Sequence, residues 1–156
     1  MLKTVLITNR PDIASDAEAV GVNRIMVDLE SIGKKERQAS RNTFISTHKI
    51  EDITAVREAL VTAELIVRIN PWYANSKKEI DAVIKRGAQR IMIPMITSMP
   101  DFAECLSYIA NRTKILPLIE TEYSMRHLAE IVSLPTVDEV YIGLNDLHLS
   151  FGMTFL

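Results

Sequence analysis

The sequence predicts an α/β protein of the (β/α)8 TIM-barrel family, truncated here to about six βα units. Three observations point there. Short β-branched runs alternate with longer amphipathic stretches, the rhythm of parallel strands joined by right-handed helical crossovers. The runs are apolar through most of their length, as strands buried on both faces are. Val67, Met92, Pro117 and Ile142 sit at matching points of four successive runs, each 25 residues after the last. A repeat this even favours a barrel over its alternative, a doubly wound sheet.

In chain order, the expected strands are residues 4–8, 24–30, 65–70, 90–95, 114–120 and 139–143. The stretches between them read as helices. Ser76 with Glu79 forms a capping-box signature ahead of Ile80, Val83 and Ile84. Ser98 and Pro100 open the next helix, with proline in its first turn. Thr121 is placed to cap the one after. The gap from Val27 to Val67 is longer, 40 residues, and includes a polar stretch over 31–47. Excursions of this kind after a barrel strand often help to form the site.

A complete barrel of eight units takes about 250 residues. This chain has 156, and its apolar end, 151–156, follows directly on the sixth strand. The reading is one incomplete (β/α) barrel domain over 1–156, as in a truncated chain. Strands one and six would then be open edges, which invite pairing with another chain. The expectation is a homo-oligomer that is at best weakly active.

Composition narrows the function classes. The chain is 47% hydrophobic and 24% charged, a soluble globular balance that excludes disorder and collagen. Lys and Arg number 18 against 20 Asp and Glu, a net charge of -2. No basic surplus exists to meet a phosphate backbone, so nucleic acid is not an expected partner. No stretch of ~18 apolar residues exists, so no membrane span is expected. Residues 1–7 are too short an apolar run for a signal peptide. A cytoplasmic location is therefore expected. Only 5 glycines occur, and no glycine-rich phosphate loop is among the motifs. Cys105 is the sole cysteine and can form neither an internal disulfide nor a cysteine zinc site.

In α/β barrels, chemistry sits at the C-terminal ends of the strands. Strand two ends in Asp28-Leu29-Glu30, strand three in Arg68-Ile69-Asn70 and strand five in Glu120-Thr121. Strand six leads into Gly143-Leu144-Asn145-Asp146. Glu120 and Asp146 are 26 residues apart, one βα unit, which places them at adjacent strand ends. Two hard carboxylates without His or Cys suit Mg²⁺, Mn²⁺ or another hard divalent ion. The alternative is a pair of helix caps or loop carboxylates. Arg68, inside an apolar run, needs an anionic partner. That partner is either a substrate carboxylate or enolate, or a structural ion pair with Asp28 or Glu30. His148 follows Asp146 by two residues and is a candidate proton carrier or outer ligand. Lys34, Lys35, Arg37 and Arg41 make the 34–41 segment locally basic, either to receive an anionic substrate tail or simply as a solvated loop. His48 and His127 read as surface residues, Trp72 and Tyr73 as packing or a pocket wall, and Cys105 as inert packing.

Taken together, VDLE at 27–30, VRIN at 67–70, IMIPMI at 91–96, LPLIET at 116–121 and GLNDLHLSFG at 143–152 resemble the HpcH/HpaI aldolase and citrate lyase β-subunit family. The motifs match in order and spacing over nearly the whole chain. The resemblance implies a (β/α)8 barrel and a carbon–carbon lyase dependent on Mg²⁺ or another divalent ion. It implies that Glu120 and Asp146 are the metal ligands and that Arg68 holds the substrate oxygens. Asp28, Glu30, Asn70, Asn145 and His148 complete the expected substrate-binding set. The implied reaction is of the class II aldolase type, on a 2-keto acid through a metal-stabilised enolate. An acyl-CoA lyase of the citrate or malyl-CoA type, or a degenerate barrel that binds without turnover, are the alternatives. The aldolase branch carries a histidine after the strand-two acidic pair, where this chain has Ser31. The citrate lyase branch reads DLED there, and the basic residues that follow are similar to that branch.

Overall fold

A computed structural model of the chain describes residues 3–34 and 46–154. Six parallel strands run in the order of the chain, β1 to β6, as one curled half-barrel. They are β1 (Val5–Ile7), β2 (Arg24–Asp28), β3 (Glu64–Arg68), β4 (Arg90–Ile93), β5 (Lys114–Ile119) and β6 (Tyr141–Ile142). Seven helices lie among the described residues: α1 (Pro11–Ala19), α2 (Asp52–Ala59), α3 (Ser76–Lys85), α4 (Met99–Ile109), α5 (Glu122–Arg126), α6 (Leu128–Ser133) and α7 (Leu144–Ser150). All six expected strands are present, so the barrel-type reading of the sequence holds. Residues 35–37 and 41 of the basic segment lie outside the described residues.

Strand pleating sorts the side chains into two sets. Ile25, Val27, Leu65, Val67, Ile91, Ile93, Ile115 and Ile119 pack with buried residues of the helices, such as Ile53, Val56, Ile80, Val83 and Phe102. Met26, Ile66, Met92, Leu116 and Leu118 form a separate cluster on the concave side. Every residue of that second set has an even number. The pairing explains this: Met26 stands opposite Ile66, and Met92 opposite Leu116. The β3–β4 and β4–β5 offsets are each 24 residues, with Val67 opposite Ile91, not the 25 of the sequence repeat. Val67 and Met92 consequently face opposite sides of the sheet, and the 25-residue match does not mark equivalent positions. A shift of one residue reverses the face.

Below the concave apolar layer lie charges. Arg24 and Arg90, at the starts of β2 and β4, are 7% and 2% exposed. Glu64, at the start of β3, bonds Arg24 Nε at 2.9 Å and Arg90 Nε at 3.2 Å. Glu139, just ahead of β6, bonds Arg24 at 2.7 Å and Arg90 at 2.8 Å. This network carries the approach to β6 back across the sheet to β2. β6 is shorter than expected, with ladder pairing at Tyr141 and Ile142.

The helix starts follow local chemistry, with one correction. Ser98 caps α4 by accepting from Asp101 N–H, with proline in the first turn. Thr121 caps α5 in a reciprocal capping box with Ser124. The capping box expected from Ser76 and Glu79 does not form. Asn75 is the N-cap of α3, and the Ser76 hydroxyl accepts from Tyr73 N–H instead. The Glu79 carboxylate is drawn away to Asn70. Cys105 is buried on α4, and burial pushes its thiol up to about 12, so it packs as an inert apolar group. No described helix is long and apolar enough to cross a membrane.

Glu64→Gln weakens both arginine contacts and leaves buried positive charge poorly compensated. The expected cost is about 3 kcal/mol of unfolding free energy, read by urea denaturation. Removing the exposed Lys77–Glu104 pair, 2.9 Å apart, leaves the midpoint unchanged.

Candidate active site

At the C-terminal ends of the strands the concave face opens into a cavity of about 520 Å³. Its floor is apolar, from Met26, Met92 and Leu118, and its polar rim includes Asp28, Lys34, Arg68, Glu120, Asn145 and Asp146. The structure thus gathers five of the sequence candidates, Arg68, Glu120, Asp146, Asp28 and Asn145, around one space. The other three lie elsewhere. Glu30 is 2% exposed and reaches the same cations as Asp28: Arg68 at 3.5 Å and Lys34 at 3.8 Å. Asn70 lines a second, shallower hollow with His48, Tyr73 and Glu79. His148 is buried on α7, where its Nδ1–H donates to Leu144 O at 3.0 Å.

Asp28 is the most heavily bonded of these groups. Arg68 donates to it from Nε and Nη2, both at 2.8 Å, and Lys34 Nζ adds a third bond at 2.7 Å. Burial alone would raise its carboxyl. The hydrogen bonds and charge of Arg68, and then of Lys34, outweigh burial and hold it at about 2. The same pairing keeps the buried Arg68 firmly protonated. Arg68 therefore faces the cavity and also makes the structural ion pair. Of the two sequence readings of this residue, the ion pair with Asp28 and Glu30 is the one observed.

Glu120 shows the opposite balance. Burial is the largest influence on it. One backbone bond, from Met95 N–H at 2.9 Å, and the weaker pull of the Arg68 charge work against burial, while the charges of Glu30 and Asp146 add to it. Its carboxyl is pushed up to about 7. Met95 reaches it from a left-handed backbone conformation, φ 50°, that non-glycine residues rarely take. Gly143 stands on the other side. A Cβ there would lie 2.9 Å from Glu120 Cβ and 3.0 Å from Oε2. Only glycine lets the β6–α7 junction pass this close to the carboxylate. Among the described residues, no three His, Cys, Asp or Glu side chains gather as a ready-made metal cluster.

Sequence reasoning underweighted four features. Lys34 is 3% exposed and belongs to the cavity wall rather than to a solvated loop. Its spacing of four residues from Glu30 was the available signal. His48 is no plain surface residue, because its Nδ1 accepts from Asp28 N–H at 3.0 Å. Ser46 lines the cavity, and its buried hydroxyl has no partner among the described residues. The Met95 N–H left no trace in the sequence, since a backbone donor has no side-chain signature. His127 stacks on Tyr123, ring centroids 4.0 Å apart, away from this space.

The profile of the HpcH/HpaI aldolase/citrate lyase family matches residues 5–155. The chain belongs to the HpcH/HpaI aldolase/citrate lyase family. Solved structures carry the same fold. An HpcH/HpaI aldolase from Desulfitobacterium hafniense DCB-2 superposes with a TM-score of 0.72 at 18% identity, over 97% of this chain and 64% of that one. An HpcH/HpaI aldolase/citrate lyase family protein from Burkholderia cenocepacia J2315 gives 0.74 at 15% identity, over 98% and 68%. A citrate lyase beta subunit from M. tuberculosis, complexed with oxaloacetate and magnesium, gives 0.66 at 21% identity, over 97% and 62%. At these identities the likeness speaks for the fold. The chain spans 64% of the length of the D. hafniense protein. No curated protein sequence matches it.

The two carboxylates carry opposite linkage to pH in this HpcH/HpaI member. The Glu120 carboxyl is raised from 4.5 to about 7, so its contribution to stability is complete below 4.5 and lost as pH rises through 7. The Asp28 carboxyl is lowered from 3.8 to about 2, so its contribution is present above 3.8 and lost as pH falls through 2. Glu120→Gln removes the first effect. The variant is expected to gain stability over the wild type on going from pH 5 to pH 8, read as the difference between their urea midpoints at the two values.

Proposed function

We propose that this chain carries the catalytic face of a divalent-metal-dependent carbon–carbon lyase that acts on a 2-keto acid. The observation that supports the reading best is Glu120, a buried carboxylate lining a polar cavity whose ionisation is opposed by burial, Glu30 and Asp146. A cation between Glu120 and Asp146 would remove that penalty. The donors are hard oxygens, and the cavity leaves room for the water and substrate oxygens that complete the shell of Mg²⁺ or Mn²⁺. Glu120 and Asp146 would hold the ion. When bound, it supplies Lewis-acid polarisation of the carbonyl next to the bond that breaks.

The chain's own side chains do the rest. Arg68 presents fixed positive charge in the cavity wall, and its double bond to Asp28 fixes the plane of the guanidinium before substrate arrives. Asp28, held ionised between two cations, orients them and is too weak a base to take a proton near neutral pH. The Ser46 hydroxyl is available to a substrate oxygen. The apolar floor of Met26, Met92 and Leu118 suits the carbon skeleton of a small acid.

The test is exchange of the pyruvate methyl protons for deuterium, followed by NMR with and without Mg²⁺ or Mn²⁺. Metal-dependent exchange by the wild type is expected. Its absence, with no metal-dependent cleavage of a 3-hydroxyacyl-CoA thioester either, would leave a binding barrel as the remaining reading. Arg68→Lys keeps the charge but loses one of the two bonds to Asp28, and should slow exchange by about a hundredfold. Mn²⁺ affinity should rise with pH up to about 7 and level off above it, because Glu120 must lose its proton to bind. Calorimetry at pH 5.5 and 7.5 in two buffers reads both the affinity and the proton released.

The two edge strands bear on assembly. β1 and β6 end the described sheet, and Ile7, Tyr141 and Ile142 are exposed on them. Such edges favour a homo-oligomer. Light scattering at low micromolar concentration should give a mass above that of one chain, and a monomer would remove the idea.

A further inference from the structure

Asn70 is bonded on both sides, and neither side is the cavity. Its Oδ1 accepts from Ser31 N–H at 2.9 Å, Ile32 N–H at 3.0 Å and Ser31 Oγ–H at 3.2 Å. Its Nδ2–H and its own backbone N–H both donate to Glu79 Oε1, at 2.9 and 3.1 Å. Backbone N–H groups can only donate and a carboxylate can only accept, so the amide has one permitted orientation. The turn it grips ends at Lys34, whose N–H returns to Ser31 O at 3.4 Å. Two residues beyond the second gripped amide, the Lys34 ammonium is buried against Asp28.

Burying an ammonium is costly unless its partners are held in place. A lysine at the end of a surface turn would ordinarily swing into water. Glu79 on α3, Asn70 after β3 and the 31–32 amides form a continuous chain of bonds from the helix layer to that turn. We infer that Asn70 and Glu79 are positioning residues: they brace the 31–34 turn so that Lys34 stays in the cavity wall as a second cation beside Arg68, facing an anionic substrate. The brace stands on geometry alone. The role of Lys34 toward substrate rests on the lyase reading above.

Residue-resolved amine acetylation, read by mass spectrometry, tests the brace without any substrate. Lys77 and Lys114, with side chains 53% and 64% exposed, are internal standards. In the wild type Lys34 should react at least about tenfold more slowly than either, since it reacts only on local opening. Asn70→Ala should bring its rate close to theirs. Asn70→Asp sets a carboxylate against Glu79 and should do the same. The pair Asn70→Asp with Glu79→Gln reverses the polarity of that contact and should restore protection, which a general loss of packing would not allow. If Asn70→Ala unfolds, Glu79→Ala alone decides, since it removes the acceptor of both Asn70 bonds, with an intermediate rate expected. Unchanged Lys34 protection in the folded variants would overturn the brace.

Kinetics test the second half. In the pyruvate exchange assay, Lys34→Met and Asn70→Asp should share one signature, KM raised about tenfold with kcat little changed, because a misplaced charge weakens binding. An unchanged KM in both would overturn the role of Lys34 toward substrate. A wild type without metal-dependent exchange would overturn the lyase reading and that role together, while the acetylation result still decides the brace.

Discussion

The alternation of side chains along parallel strands is the constraint on which the molecule depends. With even offsets from β2 through β5, and even-numbered residues of those strands on the concave side, β2 and β3 each offer the interior a charged, an apolar and again a charged position. β2 shows it in five residues: Arg24, Met26 and Asp28 on one face, Ile25 and Val27 on the other. β3 repeats it with Glu64, Ile66 and Arg68. Charge inside a sheet must be paired. At the lower end the pairing is closed within the protein, with Glu64 and Glu139 shared by two arginines. At the upper end it is closed at Asp28 but not at Glu120.

That asymmetry separates scaffold from site. Asp28 has two cations and a low carboxyl pKa, while Glu120 has one backbone donor, acidic neighbours and a raised one. The protein invests in keeping Glu120 where it is. Met95 adopts a rarely used backbone conformation to donate to it, and Gly143 omits a side chain to admit it. Strain and tight approach around a poorly compensated buried carboxylate are what support the proposal that Glu120 is kept for chemistry.

Much of this was legible in the sequence. Strand positions followed from apolar runs, and the helix starts at Ser98 and Thr121 from their capping chemistry. Arg68 and Glu120 were conspicuous because charge at the end of an apolar run demands a reason. What was not legible depends on register or on the backbone. The 25-residue repeat was real, yet the β3–β4 pairing offset of 24 placed Val67 and Met92 on opposite faces. Ser76 and Glu79 had the right spacing for a capping box, but Asn70 offered Glu79 two donors at once. Local propensity lost to a tertiary contact, as it does wherever the competing bonds are more numerous.

Asn70 shows the same lesson from the functional side. Its place at the end of β3, two residues after Arg68, marks it from sequence as a substrate ligand. Its amide is instead consumed by the turn and by Glu79. A polar residue at a barrel rim can thus serve the site without touching what binds there. It does so by fixing a neighbouring element whose own charged group, here Lys34, would otherwise prefer water. At the top of the half-barrel, Asp28, Arg68, Lys34, Glu120 and Gly143 line the cavity, and Asn70, Glu79 and Met95 hold them from behind. The residues behind use hydrogen bonds where those at the cavity use charge. The division follows from physical chemistry, because charges near a cavity are accurate only when neutral contacts with short reach hold them.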